Sequence, residues 1–140
     1  MPVETIPQSQ FAVRVYYEDT DHGGVVYHAN YLRFMERART EMLRERGLEL
    51  DRLEQEDGVV FAVRRASLDF CAPARFNQLL TIATRINSVR PLRMRFAQRV
   101  AHDGRLLCQG EIEVVCLLAA DFRPTPIPGH IVRAFFPDHP

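Results

Sequence analysis

The chain has 140 residues, 46% of them hydrophobic and 26% charged, enough to bury the core of one domain but too few for two full ones. Eighteen basic and eighteen acidic residues cancel, which argues against nucleic acid or an anionic membrane surface as partner, since both are held through a positive excess. No apolar run reaches the roughly 18 to 20 residues of a membrane span, and Met1 to Gln10 lacks the basic start and apolar centre of a secretion leader, so one cytoplasmic domain over residues 1–140, with its core at about 11–136, is expected.

Phe11, Val13, Val15 and Tyr17 alternate with Ala12, Arg14 and Tyr16, the period of a half-buried strand. A loop rich in acids, glycine and histidine follows. From Asn30 to Arg46 the residues Tyr31, Met35, Ala38 and Met42, flanked by Phe34 and Leu43, recur at helical spacing, while Arg33, Glu36, Arg37, Glu41, Arg44 and Glu45 fill the other side. Arg37 with Glu41 and Glu41 with Arg44 are spaced for surface ion pairs. Gly47 falls where a left-handed helix cap is expected, and Asp51 to Glu56 predicts a short second helix capped by Asp51 and closed by Asp57-Gly58.

The rest of the chain is mostly strand. Val59 to Cys71 is β-branched and aromatic-rich and stops at Ala72-Pro73; Leu79 to Ile86 alternates. Leu92 to Val100 and Leu106 to Leu118 alternate on either side of Asp103-Gly104, a preferred dipeptide for a tight hairpin. Pro128 opens a last short helix ending near Phe136. One long helix and about five strands predict an α+β domain in which an antiparallel sheet wraps the helix, and the sheet's open edges predict a homodimer or homotetramer with sheets continued edge to edge. Cys71, Cys108 and Cys116, odd in number and widely spaced, suit reduced, buried thiols better than a disulfide frame or a zinc site. Every basic residue is arginine; composition bias explains this first, and bidentate contacts to phosphate are the functional alternative.

The chemistry concentrates in the loop. Asp19 and Asp21, the pair Gly23-Gly24 and His28 stand directly before the long helix. A carboxylate can act as base or nucleophile, glycine lets backbone approach a substrate, and a helix start offers unpaired N–H groups to developing negative charge, so the loop fits the polarisation of a carbonyl. Either acid could instead hold turns in place, and His22 fits a solvated loop position. Asp19, Asp21, His22 and His28 do not have the spacing of a metal-binding helix, so neither a metal nor another cofactor is expected. Gly23-Gly24 lacks the Lys-Ser/Thr end of a phosphate loop, and no G-x-S-x-G elbow occurs.

Tyr17-x-Asp19-Thr20-Asp21-x-x-Gly24-x-Val26-Tyr27-x-x-Asn30-Tyr31, the helix segment Phe34-Met35-Glu36-Arg37-Ala38-Arg39, the Pro73-Ala74-Arg75 corner and Gly104-Arg105-Leu106-Leu107 resemble the hotdog-fold acyl-CoA thioesterases. Within these the sequence is similar to the YbgC-like branch, associated with the Tol-Pal envelope system and related to 4-hydroxybenzoyl-CoA thioesterase. The resemblance runs from about Val13 to Pro128. It implies an acyl-CoA substrate, with acyl carrier protein thioesters as a further possibility. Asp21 takes the place of the catalytic aspartate, as general base or nucleophile; the N–H of His28 takes that of the carbonyl-binding donor, its side chain assisting. Gly24, Val26, Tyr27 and Asn30 would shape this region, Tyr31 with them. Arg90, Arg93 and Arg95 would meet the CoA phosphates. Tyr27, Phe61 and Phe70 would close the acyl pocket. Asn77 departs from the acidic residue many relatives carry after the corner, a change expected to bear on subunit contacts or substrate entry. Two other readings stay open: a hotdog dehydratase with His28 as base, for which Glu36 lies too far along the helix to be the paired acid, and a non-catalytic scaffold.

Overall fold

Alternation in five segments and one amphipathic stripe produce, in the computed structural model, a five-stranded antiparallel sheet with a long helix packed on its inner face. The structure describes residues 6–140; of the segment Met1 to Gln10 on which the leader reading rests, residues 1–5 lie outside the described part. The elements are β1 (Gln8–Arg14), α1 (Asn30–Glu45), α2 (Leu50–Asp57), β2 (Val59–Phe70), β3 (Leu79–Val89), β4 (Arg93–His102), β5 (Arg105–Leu118) and α3 (Gly129–Phe135). Their order in the sheet is β1-β3-β4-β5-β2, so β1 and β2 are the edges. Among the described residues no helix is long and apolar enough to cross a membrane.

The core forms where the α1 stripe meets the inward rows of the strands. Phe34, Met35 and Met42 are fully buried against a floor that includes Leu80, Ile82, Ile86 and Ile112. Each such side chain stabilises the fold by about 1.5–3 kcal/mol through apolar area removed from water. α1 packs on β1 and β3, while β2 meets α2 instead. The helix ends as its sequence requires: Gly47 has φ 76°, and Gly47 and Leu48 donate back to the carbonyls of Arg44 and Leu43, closing a Schellman motif. The β4–β5 hairpin turns through Asp103 (φ 47°) and Gly104 (φ 80°), the left-handed pair a type I′ turn demands. Gly110 has a different cause. A Cβ there would collide with the Ser67 carbonyl and the Leu68 side chain, so only glycine lets β2 and β5 approach this closely.

Several local expectations are corrected. β1 begins at Gln8 and stops at Arg14, not Tyr17, because it follows β3 as far as Gln8 opposite Arg85, and beyond Val15 the chain turns into a 3₁₀ turn at Tyr17–Asp19 that leaves Tyr17 82% exposed. α2 starts after Glu49, and the Asp51 carboxylate accepts only from the Arg52 N–H inside the first turn, so it is not the cap. Glu41 pairs with Arg44, but Arg37 lies over the Phe34 ring and makes no ion pair with Glu41. Cys108 and Cys116 are buried, and burial pushes their thiols up to about 12 and about 11, whereas Cys71 is exposed at the end of β2. Asn77 has φ 70° at the turn into β3, where its carbonyl accepts from Arg14 and its N–H donates to Val15, so its local role is a left-handed corner that asparagine tolerates well.

On the outer face of the sheet Glu113 is 7% exposed and ringed by arginine. Its carboxylate lies 2.6 Å from Arg64, 3.4 Å from Arg95 and 3.8 Å from Arg93. The Arg64 hydrogen bond, followed by the charges of Arg93 and Arg64, holds the Glu113 carboxyl below the usual carboxylate range. A depressed carboxylate contributes stability that is present above its unfolded pKa and is lost as pH falls through the folded one. Glu113→Gln should therefore lower Tm at neutral pH, and its gap to wild type should narrow steadily below about pH 4.5. Thermal melts of both proteins across that range check this; a gap independent of pH would refute it.

Candidate active site

The loop before α1 is fixed by one buried acid. Asp19 is 5% exposed, and its carboxylate accepts from the Tyr16 N–H at 2.8 Å and from the Asn30 side-chain amide at 2.8 Å. Its carbonyl also accepts from the Tyr27 N–H at 3.0 Å. Asp19 thus ties the end of the β1 segment, the far side of the loop and the first residue of α1 together, and both of its carboxylate oxygens are engaged. Asn30, 7% exposed, is the helix-side half of that clamp.

Asp21 stands on the same loop with the opposite exposure. Only one carboxylate oxygen is held, by the Gly23 N–H at 2.9 Å; the other has no hydrogen-bond partner among the described residues. Its backbone is fixed on both sides, the N–H donating to Val25 and the carbonyl accepting from Gly24. Gly24 sits at φ 75°, the left-handed conformation that completes the turn at least cost with glycine. Gly23 has no such need.

The helix start is open to a ligand. Ala29 caps α1 without any side-chain hydrogen bond, and the N–H groups of His28 and Ala29 have no acceptor among the described residues. Unpaired donors at a helix start carry the positive end of the helix dipole and favour an oxygen that gains negative charge. The His28 ring is exposed and lies between aromatic neighbours, Tyr27 at 4.5 Å and Phe70 at 6.3 Å between centroids. Val26 is buried beneath the loop and donates from its N–H to the Ala74 carbonyl at 2.8 Å.

That last bond explains the Pro73-Ala74-Arg75 corner. Ala74 is fully buried; its carbonyl holds Val26 and its N–H donates to the Tyr31 hydroxyl at 3.1 Å, while Arg75 bridges to Val25. The corner is the other jaw of the clamp on the loop. Burial raises the Tyr31 phenol, which keeps it a neutral acceptor here. No single residue in the corner announces this function, because a backbone carbonyl has no sequence signature.

Arg90, Arg93 and Arg95 are not brought to the loop within one chain. Phe70, beside His28, and Ala62, level with Arg93 through Val115, are eight residues apart on β2, about 26 Å of strand. Arg93 and Arg95 are already engaged with Glu113, and with Arg64, Arg65 and Arg90 they line a cleft of about 730 Å³ at the far end of the sheet. Arg64 and Glu113 were not anticipated from spacing.

A second unanticipated group is a polar chain through the core. Arg39, 8% exposed on α1, donates to the Gln98 side-chain oxygen at 3.0 Å, and the Gln98 amide donates to the Met35 carbonyl and the Thr84 hydroxyl at 2.9 Å each. Gln98 and Thr84 occupy inward strand positions that alternation assigns to apolar residues.

Comparison with known proteins gives this architecture a family. Residues 15–135 match the model of the thioesterase-like superfamily. The acyl-CoA thioester hydrolase YbgC of Escherichia coli O6:H1 is 45% identical over 127 residues, 90% of this chain and 94% of that protein. The acyl-CoA thioesterase YbgC of Haemophilus influenzae is 39% identical, over 89% and 92%. Among solved structures, a probable thioesterase from Bartonella henselae superposes with TM-score 0.83 at 36% identity, over 86% of this chain and 99% of that one. A 1,4-dihydroxy-2-naphthoyl-CoA thioesterase from Synechocystis superposes with TM-score 0.85 at 25% identity, over 95% and 99%. The clamped loop, the open helix start and the sheet order therefore belong to a hotdog-fold enzyme of the thioesterase-like superfamily, in its YbgC-like branch.

Proposed function

We propose that the protein hydrolyses acyl-CoA thioesters at the loop before α1, with Asp21 as the reacting carboxylate. One observation carries the reading: a carboxylate oxygen without a protein partner stands on the same short loop as two unpaired N–H groups at a helix start. A thioester carbonyl bound to the His28 N–H becomes more electrophilic, and one such donor contributes about 3–4 kcal/mol in the transition state. In the general-base route water adds to the carbonyl carbon as its proton passes to Asp21; the tetrahedral oxyanion then collapses, the C–S bond breaks, and the thiolate takes that proton. In the nucleophilic route Asp21 forms an anhydride with loss of thiolate, and water opens it. Both give free acid and CoA. The His28 side chain, set between Tyr27 and Phe70, would orient the acyl group or assist the proton. Acyl carrier protein thioesters are a second donor class, and a cytoplasmic setting with a Tol-Pal association is carried by family likeness alone.

Thiol release from a panel of short, long and aromatic acyl-CoAs tests the assignment. Asp21→Asn should lower kcat by at least about a hundredfold, as loss of a positioned acid or base does; equal rates in the two proteins would overturn it.

The reading includes a homo-oligomer. β2 is a twelve-residue edge whose inward row leaves Val63 and Phe70 more than half exposed, so a second copy continuing the sheet there would cover apolar surface beside His28. Sedimentation equilibrium should give two or four times the chain mass. A monomer that is fully active would refute this.

The arginine cleft is proposed as the phosphate site only in that assembly, where a neighbouring copy can bring a loop to it. Arg90, like Arg65, has no ion-pair partner among the described residues. Arg90→Ala with Arg93→Ala should raise KM for acyl-CoA several-fold with little change in kcat, and leave acyl-pantetheine, which has no nucleotide phosphates, unaffected. An equal effect on both thioesters would rule it out.

A further inference from the structure

The arginine cleft on the outer face of the sheet already contains an anion of its own. β2 follows β5 with Val63 opposite Val114 and Arg65 opposite Glu113, which makes Arg64 the extra residue of a bulge. In an unbulged strand Arg64 and Arg65 would point to opposite faces of the sheet; the bulge lets both line the cleft, together with Arg90, Arg93 and Arg95. A second copy that continues the sheet beyond β2 pairs through backbone groups, which leaves this outer row of side chains open.

The arginines do not share Glu113 equally. Its side chain is 9% exposed, whereas those of Arg64, Arg93 and Arg95 are 48%, 43% and 45% exposed, so the carboxylate is the floor of the cleft and the guanidinium groups are its wet walls. Arg64 makes a close charge-assisted hydrogen bond at 2.6 Å, Arg95 a long one at 3.4 Å, and Arg93 approaches only to 3.8 Å. Arg65 and Arg90 make no ion pair among the described residues. Each guanidinium carries five N–H donors, so one carboxylate engages a small part of what the cleft offers.

We propose that Glu113 is a resident anion that competes with the phosphates of CoA for Arg93 and Arg95, and thereby sets how tightly the nucleotide end of the substrate is held. This rests on the phosphate reading of the cleft. A phosphate that enters takes the two loosely held arginines, whose planar forks can each meet two of its oxygens, while Arg64 stays on Glu113 and the carboxylate is never left buried and unpaired. Glu113 then opposes the phosphate through charge alone. The weaker hold applies to acyl-CoA and to free CoA alike, and so favours release of the product.

Calorimetric binding of free CoA at low ionic strength tests this. Glutamine at 113 keeps an oxygen for the Arg64 bond and removes the charge, so Glu113→Gln should bind CoA at least about threefold more tightly, the effect of one unit charge a few ångströms from a phosphate even in water. KM for acyl-CoA should fall with it at unchanged kcat, and acyl-pantetheine should respond to neither. Glu113→Asp, which keeps the charge, should stay near wild type. All measurements belong well below the Tm of the glutamine variant, so that each protein compared is folded. Equal or weaker binding of CoA by Glu113→Gln overturns the proposal and leaves Glu113 a structural partner of Arg64. Should Arg90→Ala with Arg93→Ala bind CoA as tightly as wild type, the cleft is not the phosphate site and the proposal falls with that reading. Weakened binding in that double variant, with no effect of Glu113→Gln, keeps the phosphate site and removes only the competing role of Glu113.

Discussion

Everything at the helix start depends on the carboxylate of Asp19. Two hydrogen bonds to a charged acceptor, each worth about 1.5–3 kcal/mol, join Tyr16 to Asn30 across a loop that has little apolar material of its own to bury. The corner at Ala74 grips the same loop from the sheet side through Val26 and Tyr31. With both sides held, Gly24 can complete a tight turn and Asp21 can remain exposed with one oxygen uncommitted. The division of labour between two acids in a three-residue stretch thus has a physical origin: one is spent on holding the loop, which leaves the other available.

The second organising fact is the off-centre seat of α1. It packs most closely over β1 and β3, and of the inward row of β2 it leaves Val63 and Phe70 more than half exposed. The exposed apolar residues of β2 therefore stand on an open edge of the sheet. The seat itself is pinned by the Arg39–Gln98–Thr84 chain, in which no polar side-chain atom sealed from solvent is left without a hydrogen bond. A core of this kind fixes the helix in one position where purely apolar packing would tolerate sliding.

Hairpin, helix and strand identities were legible in the sequence because their signals are local. The Asp103-Gly104 turn, the Tyr31–Met42 stripe and the Gly47 cap each depend on residues within a few positions of one another, and each stands in the structure as its spacing requires. Failures occurred where a distant partner decided. β1 reached back to Gln8 because β3 was there to pair with, and Glu113 lay buried because Arg64, Arg93 and Arg95 converge on it from two neighbouring strands. Cys71 carried no mark to distinguish it from its buried counterparts, since exposure at a strand end is set by what packs above it.

The sequence by itself determined most of the elements and the family, because periodicity, turn chemistry and motif are properties of neighbouring residues. It named Asp21 over Asp19 through family likeness alone, and left open what holds Asp19, what the Pro73-Ala74-Arg75 corner did, and where the arginines lay relative to the loop. Those answers required the fold, since a hydrogen bond to a backbone carbonyl or a separation of eight strand residues exists only once segments far apart in the chain have been brought together.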